Sequence, residues 1–149
     1  MKELHIKALE NGTAIDHIPP GRALRVLALL RIPQQPIISV AMHVPSKRMK
    51  TKDLIYVENY ELEEQEIQKI GLLARNATLN IIRNSEVAVK QKITLPQSIH
   101  NAIACPNPSC ISNHEKIPSR FSLKDPPLEA KCHYCERSIE EKQILENLK

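Results

Sequence analysis

All four cysteines of this 149-residue chain, Cys105, Cys110, Cys132 and Cys135, lie in its last 45 residues. They form two pairs, Cys-x4-Cys and Cys-x2-Cys, with 21 residues between them. Two close pairs on separate turns can bring four sulfurs to the corners of a tetrahedron, the ligand set of a structural zinc site. The segment that carries them has about 50 residues, a size at which a hydrophobic core alone is marginal. One zinc per chain would supply what that core lacks. Four thiolates close the coordination shell and leave no position for water or substrate, so the expected zinc is structural rather than catalytic.

Other uses of these cysteines fit less well. A redox role for "CHYC" wants a strand–helix setting and no second pair. His114 and His133 are alternative ligands, but four thiolates already fill the shell. The 21-residue spacer has room for a hairpin, with "SRFSL" against "LEAKC".

The first hundred residues alternate between strand and helix signals. "LHIKAL" has a period of two, and Asn11-Gly12 offers a tight turn before "TAIDHI". Pro19-Pro20 stops that strand, and "GRALRVLALLR" reads as a helix apolar on most sides, hence largely buried. "IISVAMHV", bounded by Pro36 and Pro45, places Ile38, Val40, Met42 and Val44 on one face. "DLIYVEN" follows as its neighbour. "LEEQEIQKIGLLA" is an amphipathic helix with acidic residues in its first turn, as the helix dipole prefers, and Ile67, Ile70 and Ala74 on one stripe. "ATLNIIR", the turn "NS" and "EVAVK" make a last hairpin. The expected fold is α+β. Residues 1–98 form a mostly antiparallel sheet with two helices on one face, a ferredoxin-like sandwich. Residues 99–149 form a small all-β four-cysteine zinc domain.

Composition narrows the function. No apolar run is long enough to span a bilayer, and the N-terminus lacks the apolar stretch of a secretion signal. A cytoplasmic, non-membrane protein is expected, in a compartment where clustered thiols read as metal ligands. Residues 1–100 hold 14 Lys and Arg against 10 Asp and Glu, whereas residues 101–149 hold 7 of each. The densest basic run, Lys47 to Lys52, lies outside the cysteine region. Zinc with four thiolates would add a local charge of −2. A nucleic-acid-binding zinc ribbon should instead be basic and rich in stacking aromatics, so no nucleic-acid partner is expected. Asp16-His17 invites a catalytic pairing, but neighbours on an extended strand point to opposite faces. No nucleophile motif, phosphate-cradling glycine loop or paired carboxylates accompany it. These features point to binding and coupling rather than catalysis.

Three stretches, "NGTAIDHIPPG", "NATLNIIRNSEVAVK" and "CPNPSCISN…KCHYCE", resemble in order and spacing the regulatory chain of aspartate carbamoyltransferase. "VPSKRMKTKDLIYVEN" is similar to that family's intervening loop and strand. The resemblance spans the whole chain and implies a non-catalytic subunit. In that family an N-terminal allosteric domain binds nucleotides and pairs two regulatory chains, and a C-terminal zinc domain docks on a catalytic chain. Two catalytic trimers and three regulatory dimers form the holoenzyme, which makes carbamoyl-aspartate for pyrimidine biosynthesis. ATP typically activates it and CTP typically inhibits it.

Carried over position by position, the resemblance implies an effector pocket of Ile6, Asp16, His17, Asn80, Ile82, Val87 and Lys90. It implies an interface with the catalytic chain at Asn107 and Glu136. Three positions depart from the family pattern. Tyr56 stands for a nucleotide-contacting lysine, and Ser85 for a tyrosine in the later hairpin. Ser109 replaces an asparagine at the catalytic-chain interface. Lys52, within the basic run, offers a replacement cation.

Overall fold

The computed structural model describes residues 10–32 and 36–149. The expected strand over "LHIKAL", and Ile6 with it, lies outside these residues. The first unit contains β1 (Gly12–Ile18), α1 (Ala23–Leu30), β2 (Ile38–Ser46), β3 (Lys50–Glu58), α2 (Glu64–Leu73), β4 (Thr78–Arg83) and β5 (Glu86–Lys92). Its sheet runs β2-β3-β1-β4-β5, with every neighbouring pair antiparallel. This is the β-α-β-β-α-β ferredoxin-like arrangement extended by β5.

Alternation along the strands explains the layering. Ile15, Ile55, Val57, Leu79 and Ile81 point to one side and are buried with Val26, Leu30, Ile70 and Leu73 of the two helices. Among the described residues no helix covers the opposite face of the sheet. Helix α2 opens with a capping box between Glu63 and Glu66, which satisfies two amide donors that the first turn leaves free. Helix α1 is more one-sided than its sequence suggested: Ala23, Val26, Leu29 and Leu30 are buried, while Leu24 is 59% exposed. Gly12 opens β1, where a Cβ would lie 2.2 Å from the Val57 carbonyl oxygen, so the close approach of β3 requires glycine there.

Three irregularities break the two-residue period, one of them in β5, where Val89 faces Ile81 but Val87 faces Ile82. β1 bulges between Ile15 and Ile18, and β2 bulges between Ala41 and Val44. His17 and His43 take left-handed φ values of 58° at these places. The expected single face through Ile38, Val40, Met42 and Val44 is therefore interrupted after Ala41. Pro45 lies inside β2 rather than ending it, which an edge strand tolerates because one side of it needs no donors.

The second unit contains β6 (Ser98–His100), β7 (Arg120–Lys124), β8 (Glu129–Cys132), β9 (Ser138–Glu140) and α3 (Glu141–Glu146). The strands form a four-stranded antiparallel sheet in sequence order. The hairpin expected between the cysteine pairs is β7–β8, with Phe121 opposite Cys132. The short α3 is an addition that the sequence reading did not separate. A second core gathers Ile99, Phe121, Ala130, Ile139 and Ile144 with three of the cysteines. Leu72 of α2 belongs to this second core, whereas Leu145 and Leu148 also pack on the first. The unbroken apolar run at the end of α2 thus serves two units at once.

Candidate functional site

The four cysteines converge. Their sulfurs lie within 4.8 Å of one another. Cys105 and Cys135 are 3.7 Å apart, as are Cys110 and Cys132. A tetrahedron of thiolates around a divalent ion at about 2.3 Å has edges of about 3.8 Å, so the set fits such an ion. It does not fit disulfides, whose sulfurs lie about 2.05 Å apart. Neither His114 nor His133 belongs to the cluster. The His114 ring lies 2.7 Å from the Pro108 carbonyl oxygen, and His133 packs edge-on against Tyr134.

Each knuckle is built by backbone bonds. Cys110 N–H donates to the Asn107 carbonyl at 3.1 Å, and Glu136 N–H donates to the Cys132 carbonyl at 3.0 Å. The Asn113 amide donates to the Cys105 and Asn107 carbonyls at 2.9 and 2.7 Å. Asn107 is turned into its knuckle at 9% exposure, and its side-chain oxygen accepts from Ser109 N–H at 3.1 Å. Ser109 and Glu136 are exposed, and Glu136 closes the second knuckle with a left-handed φ of 63°. The thiols are not equivalent. Burial, with neighbouring thiols, pushes Cys105 up to about 12 despite an amide bond from Asn107. At Cys135 burial is outweighed by bonds from the Arg137 amide, the Asn107 side chain and the neighbouring thiols, which draw it down to about 6. An arriving divalent cation would help ionise the thiols.

The open face of the first sheet is the second place where functional candidates gather. Ala14 of β1 lies opposite Tyr56 on one side and Asn80 on the other. Asn80 lies opposite Lys90, and Ile82 opposite Val87. Directly paired residues share a face, so Tyr56, Asn80, Ile82, Val87 and Lys90 all line this side. Ser85 sits apart, in the β4–β5 turn. Asn84 and Ser85 have φ values of 52° and 64°, as a two-residue hairpin requires, and Ser85 N–H donates to the Glu10 carbonyl at 2.8 Å.

Asp16 and His17 correct the expectation that they point to opposite faces. The bulge leaves Ile15 and Ile18 both buried and puts the two residues between them on the open side. His17 N–H donates to Asp16 Oδ1 at 2.6 Å, which supports the left-handed turn. His17 Nδ1 lies 3.1 Å from Thr78 Oγ1 and 3.9 Å from Asp16 Oδ2. Both groups approach the same ring nitrogen, so the trio cannot relay a proton from a nucleophile through the ring. Lys52 joins them, its ammonium 2.9 Å from Asp16 Oδ1 and 3.2 Å from Oδ2.

One polar residue beneath this site escaped the sequence reading. Asp53 is fully buried and accepts from Gly21 and Ala23 N–H at 2.8 and 3.0 Å and from His43 N–H at 3.0 Å. It caps α1 from another strand and ties it to the bulge of β2. A capping aspartate distant in sequence leaves no local signature.

The chain matches two family models. Residues 4–94 match the allosteric domain of the aspartate carbamoyltransferase regulatory chain, and residues 97–145 match its metal binding domain. It is 45% identical over 149 residues to the aspartate carbamoyltransferase regulatory chain of Thermococcus sibiricus, covering 99% of both chains. Identity to that of Pyrococcus abyssi is 44%, over 99% of this chain and all of that one. Identity to that of Methanocaldococcus jannaschii is 40%, over 95% of each. The likeness is full-length and takes in both the sheet and the four-cysteine cluster: the chain belongs to the aspartate carbamoyltransferase regulatory-chain family, and its role in that enzyme is regulatory rather than catalytic.

Proposed function

We propose that the open face of the first sheet binds nucleotide effectors, ATP and CTP, and that the chain passes their effect to catalytic chains of aspartate carbamoyltransferase in pyrimidine biosynthesis. The observation that carries this reading is the strand register, which gathers Tyr56, Asn80, Ile82, Val87 and Lys90 on one face with Asp16, His17 and Lys52. The two lysines offer charge to phosphates, Asp16 accepts from ribose hydroxyls, and Asn80 reads a base edge. Ile6 belongs to the proposed set by resemblance alone.

The metal of the four-cysteine centre is zinc in this reading, one per chain and structural. The zinc-bearing unit docks on a catalytic chain through the knuckle surface at Ser109 and Glu136, with Asn107 shaping the first knuckle. Two regulatory chains pair, and three such dimers join two catalytic trimers. The assembly works in the cytoplasm. No helix among the described residues is long and apolar enough to cross a membrane. Titration calorimetry of the chain with ATP and CTP tests the effector reading. Saturable binding that Lys90→Ala weakens supports it, and no binding of either nucleotide overturns it.

A further inference from the structure

Charged side chains from both units meet at their boundary. Arg22 stands at the start of α1 and Arg75 just past the end of α2, while Asp125 and Glu141 belong to the metal-binding unit. Each arginine is anchored along one edge. Arg22 Nη1 donates to the Leu73 carbonyl at 2.7 Å, and Arg75 Nε lies 3.2 Å from Asp125 Oδ2. The remaining edges point at one atom. Glu141 Oε1 is 3.5 Å from Arg22 Nη2 and 3.8 Å from Arg75 Nη2.

Those distances exceed the roughly 2.7–2.9 Å of a charge-assisted hydrogen bond. Glu141 Oε1 is buried yet makes no hydrogen bond, and neither does Arg75 Nη1. A carboxylate oxygen out of water that makes no hydrogen bond is costly. A movement of about 1 Å would bring it into bonding range of either guanidinium. The oxygen can close on either guanidinium, which would draw α3 towards α1 in one case and towards the end of α2 in the other.

Arg22 is also close in sequence to the open face. Five positions separate it from His17, and Pro19 and Pro20 stiffen the connection. Asp53 fixes the same helix start to β3. A displacement at Asp16–His17 thus has a short, stiff route to the guanidinium that faces Glu141.

We propose that Glu141 is the moving contact of an interdomain latch, shared between Arg22 and Arg75. Its choice of partner sets where the metal-binding unit sits relative to the sheet. The link to effectors rests on the reading of the open face as their site.

The test uses holoenzyme assembled with wild-type or Glu141→Gln chains, since glutamine keeps the shape and removes the charge. Three quantities are measured: nucleotide affinity, the nucleotide-induced change in catalytic rate, and amide hydrogen exchange over residues 141–148 and 71–76. In the variant, ATP and CTP should bind within about twofold of wild type, while the rate response shrinks at least about threefold. Exchange in both segments should rise at least about fivefold. Unchanged exchange overturns the latch, as does a full rate response. A loss of affinity of about tenfold or more also overturns it, because Glu141 would then act at the ligand. If wild type binds neither nucleotide, the effector reading fails and exchange alone decides: faster exchange supports the latch, and unchanged exchange overturns it.

Discussion

The Lys52 ammonium sits 2.9 Å from Asp16 Oδ1, so a cation on the open face is already partnered before any ligand arrives. Lys90, on β5, has no such partner among the ion pairs of the described residues. A phosphate reaching Lys52 must share it with Asp16, whereas Lys90 is available in full. A charge-assisted bond to phosphate contributes about 1.5–3 kcal/mol. Lys90→Ala should therefore weaken ATP or CTP binding about 10- to 100-fold, and Lys52→Ala should weaken it less. Calorimetry on both variants gives the order. Neither change should lower holoenzyme turnover without nucleotide.

Tyr56 tests the same face from the other side. It lies opposite Ala14, one strand from Asp16 and two residues along β3 from Leu54, on the side of Lys52. Tyr56→Lys adds a cation where the family pattern has one and should tighten nucleotide binding. An unchanged dissociation constant would place the ligand elsewhere.

The metal centre should decide whether the second unit folds. Three of its cysteines belong to the core of that unit, and structural zinc contributes about 10–16 kcal/mol apparent in small domains. Cys132→Ala should abolish metal binding and make residues past about 98 protease-sensitive, while the sheet of β1 to β5 persists. Elemental analysis and limited proteolysis check both halves. Chelation of the wild-type complex should release the metal and detach the chain from its catalytic partner.

Asp53→Ala removes the acceptor of three backbone N–H groups at a fully buried position. Each donor left without a partner costs about 1–3 kcal/mol. A loss of about 3 kcal/mol or more is expected, visible as a lower urea midpoint with the metal still bound.

Tyr60 gives a pH signature. Burial, then the hydrogen bond to the Glu66 carboxylate, pushes its phenol up to about 12, with the hydroxyl 2.9 and 2.8 Å from the two carboxylate oxygens. The folded state therefore holds this proton more tightly than the unfolded chain does. The stability it contributes is complete below pH 10 and is lost as pH rises from about 10 to about 12. Tyr60→Phe should flatten that alkaline loss. Spectrophotometric titration should show one tyrosine ionising late.

The metal centre was legible because its four ligands declare themselves by type and spacing. The strand and helix order from β1 to β5 was legible for the same reason: period and turn residues are local signals. Asp53 and Glu141 were not, since each acts on backbone or side chains far away in sequence. The turn of Asp16 and His17 to a common face was hidden too. An alternating pattern does not announce a bulge, and His17 is not the glycine that usually marks a left-handed position.

That bulge makes the length of β1 as consequential as its composition. Replacing His17 changes what the open face presents to a ligand. Deleting it would restore strict alternation with Ile18 still facing the core opposite Asp53, but would remove one of the two adjacent open-face residues and shorten the lead into Pro19-Pro20. A change in residue count at this point should therefore alter the open face and the connection to α1 while leaving the inward positions of β1 in place.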